Sequence, residues 1–235
     1  VWFDALTNYI STLGWPEDAQ GNFKKFWDEG ETVQVAGKDQ VRFQSIMWQA
    51  MLMSADIKNT QKVVYHGFIN SGGQKMSKSL GNVISPQTLV DEYGTDAVRY
   101  FLLRHVHSFE DSDVTLDRVK ELYNADLANG LGNLTSRILT LSEKYLKNTP
   151  DFSKEIDKSD FFSIFETFDL NKAAEYVWKR IGDLDLFIQT TEPFKVVKVD
   201  ENKGRELISE MVVKLYEIAS LLEPLIPETS IKIKE

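Results

Sequence analysis

Cysteine is absent from all 235 residues, so disulfides and thiolate metal centres are excluded. Histidine is scarce: the chain has only His66, His105 and His107. His105 and His107 form a His-x-His pair, but no third ligand stands at a spacing that zinc sites use, and no metal is expected. No stretch approaches the run of about 18 apolar residues that a membrane span requires. No signal peptide is visible, and residue 1 is Val rather than Met. Basic charge is also in short supply. Lys and Arg total 27 against 36 Asp and Glu, a net charge of -9. General nucleic-acid binders carry a basic field, so this balance argues against one. An acidic chain can still hold one RNA through a local basic strip, because single-stranded loops are read by stacking and base-edge hydrogen bonds. Internal repeats and low-complexity segments are missing too.

The remainder is ordinary for a globular chain: 42% hydrophobic and 27% charged residues, enough for one large or two small domains. The first third reads as α/β. Val33-Gln34-Val35-Ala36 alternates and stops at Gly37, while Lys62 to Ile69 is a β-rich run ending in Asn70-Ser71-Gly72-Gly73. Between them, Phe43, Ile46, Met47, Ala50, Met51 and Ala55 predict a helix over 40–55. Strand, helix, strand at this length fits a right-handed parallel crossover, with ligands expected beyond the carboxyl ends of the strands. Trp2, Ala5, Leu6 and Tyr9 are spaced to share one side of a strand-to-helix turn. Ser85-Pro86 predicts a helix start, Gly94 its stop, and Thr95 the cap of a helix over 96–104. A polar stretch over 105–115 follows; its Asp111, Asp113 and Asp117 read as a solvated connector or caps. From Leu116 onward the pattern is helical. The stripes are Leu127-Leu131-Leu134-Ile138-Leu141-Tyr145, Leu170-Ala174-Val177-Ile181-Leu184-Ile188 and Leu207-Met211-Leu215-Ile218-Leu222, the last ended by Pro224. Such helices bury their stripes by packing as a bundle, at about 2 kcal/mol per large side chain.

The most specific stretch is Gly72-Gly73-Gln74-Lys75-Met76-Ser77-Lys78-Ser79-Leu80-Gly81-Asn82. Lys75 and Lys78 sit on a glycine-flanked polar loop. Two flexible ammonium groups, the Ser77 and Ser79 hydroxyls and free backbone N–H groups can follow phosphate oxygens as charge moves onto a leaving pyrophosphate. An arbitrary K-x-x-K loop is a solvated turn, but Lys75 to Ser79 resembles, without mismatch, the KMSKS motif of class I aminoacyl-tRNA synthetases. Val1 to Ile10, Gly37-Lys38-Asp39, His66-Gly67-Phe68 and Asn133-Leu134-Thr135-Ser136-Arg137 are similar, in order and spacing, to segments of the methionyl-tRNA synthetase family. Together these cover nearly the whole chain.

That resemblance implies an α/β plus all-α architecture. Residues 1–72 would be the second half of a Rossmann-like catalytic domain, 73–120 the KMSKS loop and a helical stem-contact connector, and 121–235 an α-helical anticodon-binding domain. It implies a cytoplasmic methionine–tRNA ligase with L-methionine, ATP as its Mg2+ complex, and tRNA(Met) as substrates, and no membrane partner. The family's H-I-G-H type motif has no counterpart here, so the chain is expected to be the carboxy-terminal part of a larger enzyme, inactive alone. Lys75 and Lys78 would act on the triphosphate, with Ser77 and Ser79 beside them. Gly37, Asp39, His66, Gly67 and Phe68 would contact the nucleotide. The residues themselves leave Asp39 open between a ribose acceptor and a helix N-cap, and His66 between a nucleotide contact and a structural hydrogen bond. Trp2, Ala5, Leu6, Tyr9, Phe43, Gln44 and Trp48 would enclose methionine, where sulfur–ring contacts add up to about 1.5 kcal/mol; ordinary core packing is the alternative. Gln44 stands where many members have His, and it cannot titrate. Asn133 and Arg137, four apart on one helix face, would read anticodon bases, or be plain solvated surface. Pro193-Phe194 resembles a stacking corner that usually carries Pro-Trp, worth about 1–3 kcal/mol per stacked base. The rival readings are a leucine, isoleucine, valine or cysteine synthetase of the same class, or a non-catalytic tRNA-binding module.

Overall fold

The computed structural model describes residues 1–153 and 156–235. The chain divides into two compact units: Val1–Phe68 with Phe109–Asp111, and Ile69–Ser108 with Ser112–Glu235.

The first unit opens on two short helices, α1 (Trp2–Leu6) and α2 (Asn8–Ser11). The expected strand-to-helix turn is therefore helical from residue 2. Strand β1 (Val33–Gly37) pairs in parallel with β2 (Lys62–His66), in register from Val33 opposite Lys62 to Gly37 opposite His66. The crossover between them is not one regular helix. A 3₁₀ turn (Lys38–Gln40) leads through a π-helical segment (Arg42–Met47) into α3 (Trp48–Ser54). The alternation in β1 runs opposite to its hydropathy: Val33 and Val35 are exposed and Gln34 is buried. Thr60 Oγ1 donates to Gln34 Oε1 at 3.0 Å, whereas Gln34 Nε2 is buried with no hydrogen-bond partner among the described residues. The core of this unit is Leu6, Ile10, Phe23, Trp27, Trp48 and Leu52.

The run from Lys62 to Ile69 is not one strand. β2 stops at His66 because Phe68 N–H is taken by the Asp111 carboxylate at 2.8 Å instead of a strand neighbour. Gly67 lies hard against the backbone of Glu110; a Cβ there would stand 2.1 Å from its carbonyl carbon, so no larger residue fits.

In the second unit, β3 (Ile69–Ser71) pairs antiparallel with β4 (Gln74–Lys75) and parallel with β5 (Ser112–Asp113). Gly72 and Gly73 both have positive φ, the geometry a tight two-residue hairpin demands. Helices follow: α4 (Pro86–Tyr93), α5 (Thr95–His105), α6 (Leu116–Leu122), a π-helical run (Tyr123–Gly132), α7 (Asn133–Tyr145), α8 (Ser159–Phe165), α9 (Leu170–Thr191), α10 (Pro193–Val199), α11 (Glu201–Leu222) and α12 (Pro227–Lys234). Gly94, with φ 84°, caps α5, and Thr95 is already helical. Thr115, not Asp117, caps α6, its side chain accepting from Arg118 N. Asp169 and Asp200 cap α9 and α11 in the same way. The three predicted stripes face one another around Ile138, Val177 and Met211, all fully buried. Ile208 rather than Leu207 holds the inward position on α11. Tyr100 of α5 and Phe161 of α8 join this core. A smaller cluster of Leu89, Val98, Phe101, Val114 and Val119 lies under the lysine loop.

Candidate functional site

The lysine loop leaves β4 at Lys75. Met76 turns inward and packs on the Leu89 cluster, which fixes the loop at its middle. Ser77 is extended and its side chain accepts from Ser79 N–H, opening a 3₁₀ turn over Lys78–Leu80. The Ser77 and Ser79 hydroxyls are 2.7 Å apart. Lys75 and Lys78 are both exposed. Lys78 makes no ion pair among the described residues. Its ammonium is thus presented to solvent from a short turn whose apolar neighbour is anchored. The hairpin below is held by Asp113, whose carboxylate accepts Gly73 N–H at 2.8 Å.

In the first unit, Gly37 ends β1, and Asp39 lies exposed inside the 3₁₀ turn that follows rather than ahead of a helix. The N-cap reading of Asp39 is thereby corrected. His66 ends β2 with its ring Nδ1 2.9 Å from the Gly67 carbonyl. Asp111 is exposed, as the connector reading has it, but it is also bonded. It pairs with Lys38 at 2.6 Å and accepts from Phe68 N–H, while the Lys38 ammonium also lies 4.8 Å from the Phe68 ring centroid. The lysine, and then that N–H, hold the Asp111 carboxyl below its ordinary range.

The predicted apolar residues of this unit come together. Trp2 stacks on Phe43 with ring centroids 4.5 Å apart, and Tyr9 leans on Trp48 at 5.8 Å. Gln44 is 4% exposed, and its Nε2 donates to the Tyr9 hydroxyl at 2.8 Å. Leu6 and Trp48 are core residues, whereas Ala5 is exposed. Gln44 Oε1 and Trp48 Nε1 are buried here with no hydrogen-bond partner among the described residues. Unpaired buried polar groups cost free energy unless a ligand or water meets them. Sequence reasoning missed Trp27, which packs edge-on against Trp48 and donates to the Lys58 carbonyl.

In the helical unit, Asn133 and Arg137 share the outer face of α7 and line a groove of about 600 Å³ with Asp126, Asn129, Trp178 and Asp185. Arg137 is paired with Asp185 at 3.0 Å, and Gln189 Nε2 donates to the other carboxylate oxygen. Pro193 and Phe194 do not line this groove. They start α10 after Glu192 turns left-handed (φ 42°), Pro193 buried and Phe194 38% exposed. Behind the groove stands a polar network that left no local trace in the sequence. Asp126 accepts from the Tyr100 hydroxyl, from Arg104 at 3.2 Å and from His105 at 3.0 Å, and Arg104 lies over the Trp178 ring. Burial raises the Tyr100 phenol. Burial also lowers His105, although Asp126 pulls the other way.

Among the described residues, no group of three or more His, Asp or Glu could hold a metal ion, and no helix is long and apolar enough to cross a membrane. The lysine loop follows a parallel strand pair and precedes a helical bundle in the chain. Residues 1–139 match the family described as tRNA synthetases class I (M), and the chain belongs to that family. It is 39% identical over 248 residues to the methionine–tRNA ligase of Fusobacterium nucleatum, covering 99% of this chain and 39% of that protein. Against the corresponding ligase of Caldanaerobacter subterraneus it is 37% identical, covering 100% and 39%. The solved Mycobacterium tuberculosis methionyl-tRNA synthetase in complex with methionyl-adenylate superposes with a TM-score of 0.85 at 31% identity, over 99% of this chain and 48% of that one. The chain thus spans less than half the length of each of these relatives.

Proposed function

We propose that this protein is a methionine–tRNA ligase. Methionine's carboxylate attacks the α-phosphate of ATP, supplied as its Mg2+ complex; pyrophosphate leaves, and the methionyl group passes to a ribose hydroxyl at the end of tRNA(Met). Residues 1–72 supply the second half of a Rossmann-like nucleotide fold, 73–120 the lysine loop and stem-contact connector, and 121–235 the anticodon-binding bundle. Lys78, supported by Lys75, neutralises charge growing on the leaving phosphates, and Ser77, Ser79 and nearby N–H groups add donors. Asp39 accepts from ribose hydroxyls, with Gly37, His66, Gly67 and Phe68 bordering the nucleotide. Trp2, Ala5, Leu6, Tyr9, Phe43, Gln44 and Trp48 surround the methionine side chain. Asn133 and Arg137 read anticodon bases, and Phe194, set by Pro193, stacks on one. Work in the cytoplasm follows from a role in translation.

The observation that carries this reading is the lysine loop of a chain in this family: Met76 inward, Lys78 outward with no ion pair among the described residues. The solved relative holding methionyl-adenylate supports the choice of amino acid and of ATP. Amino-acid-dependent pyrophosphate exchange by the full-length protein tests it. Exchange should require methionine and collapse in Lys78→Ala with little change in the methionine KM. Exchange driven by leucine, isoleucine, valine or cysteine instead would move the protein to another member of the class.

A further inference from the structure

Asn82 stands at the far end of the lysine loop, half-buried, and nothing above gives it a role. Its Oδ1 accepts from Ser77 N–H at 2.8 Å, and its Nδ2 donates to the Lys75 carbonyl at 3.3 Å. These two backbone groups flank Met76 and point to the same side of an extended chain. They are the acceptor and donor that a single residue of a parallel strand neighbour would engage. β4 ends at Lys75, so no strand reaches them. The primary amide does the neighbour's work with one acceptor and one donor. It thereby closes residues 75–82 into a ring that contains the 3₁₀ turn carrying Lys78.

We propose that Asn82 is a positioning residue for the lysine loop: its side-chain amide ties the two ends of the loop together and fixes where the Lys78 ammonium stands. This rests on the reading of Lys75 and Lys78 as triphosphate ligands. Met76 near one end of the loop and Ile84 just beyond the other both pack on the Leu89 cluster. The Asn82 bonds join those two anchored ends, so the turn between them cannot open away from its base. Charge stabilisation depends on donors already in place when charge develops, so an untied loop forfeits rate rather than methionine affinity.

The test is Asn82→Ala in the full-length protein, with Asn82→Leu, of similar size but with neither donor nor acceptor, as the second variant should the first fail to fold. Either should slow methionine-dependent pyrophosphate exchange by about 10- to 100-fold, as misplacement of a catalytic group does. The methionine KM should stay within about twofold, the mark of an interaction used only in the transition state. Amide hydrogen exchange at Ser77 should quicken in the same variant, a readout that activity does not enter. Faster exchange at Ser77 with an unaltered reaction rate would overturn the proposal, and so would unchanged protection of Ser77. Lys78→Ala run in parallel separates the two levels: if it reacts at the wild-type rate, the ligand reading itself falls, whatever Asn82 does.

Discussion

The two units use their buried side chains differently. In the first, the core and the candidate amino-acid pocket share residues: Leu6 and Trp48 are core members, and Gln44, Tyr9, Phe43 and Trp2 touch them or one another. In the second, the core and the candidate anticodon surface fall on different residues of one helix. Ile138 of α7 points into the bundle and Leu134 borders core and groove, while the exposed Asn133 and Arg137 line the groove. A substitution in the first unit thus mixes folding with binding, whereas one on α7 can separate them.

Trp48→Ala should break that contrast most sharply. Trp48 is 1% exposed and meets Trp27 and Tyr9, so its loss should cost about 3–5 kcal/mol of stability and weaken methionine binding together. Denaturant unfolding and methionine titration on one sample measure both; intact stability with lost binding would show that core and pocket are separable. Next in size is Lys78→Ala. Removal of a donor that acts on developing charge should slow adenylate formation about 10²- to 10³-fold, with thermal stability unchanged because the residue is exposed. Single-turnover kinetics decide it. Smaller still is Arg137→Ala, which should cost about 1–3 kcal/mol in discrimination between CAU and altered anticodons. Its pairing with Asp185 is solvent-exposed, so little stability should follow. Charging of both tRNAs by wild type and variant is the measurement.

The smallest effect lies in the helical unit alone. The folded protein favours neutral His105, while an unfolded chain takes up that proton near about pH 6.5. Below this value the unfolded state binds more protons, so stability should fall as pH drops through about 6.5 towards the lower folded value. The depressed carboxylates such as Asp111 act in a lower window, as pH falls through and below about 3.9. Melting temperature against pH for wild type and His105→Gln checks this; the variant should lose the slope.

What could be read in the sequence was whatever repeats locally. The stripes on α7, α9 and α11 carry a helical period in large aliphatic residues, and Pro86 and Gly94 mark the ends of α4. Nothing local marks the break between β2 and β3, because its cause, Asp111, lies 43 residues further on. The same holds for Asp185, which faces Arg137 across 48 residues. Asn171 is a third case: its Nδ2 donates to the carbonyls of Leu103, Arg104 and Val106 and so finishes α5 from another helix. Among the candidate site residues, the lysine loop and the Trp2–Phe43 stack were legible as types in order. The burial of Gln44 and the tie at Asn82 were not, since each depends on which backbone groups are left without a neighbour.

Gly67 has a practical consequence for anyone wishing to dissect the protein. Residues 109–111 belong with the first unit, and Gly67 is the slot that receives them. A polypeptide cut after Phe68 would therefore lack its own closing stitch, and Gly67→Ala would unpick that stitch in the uncut polypeptide.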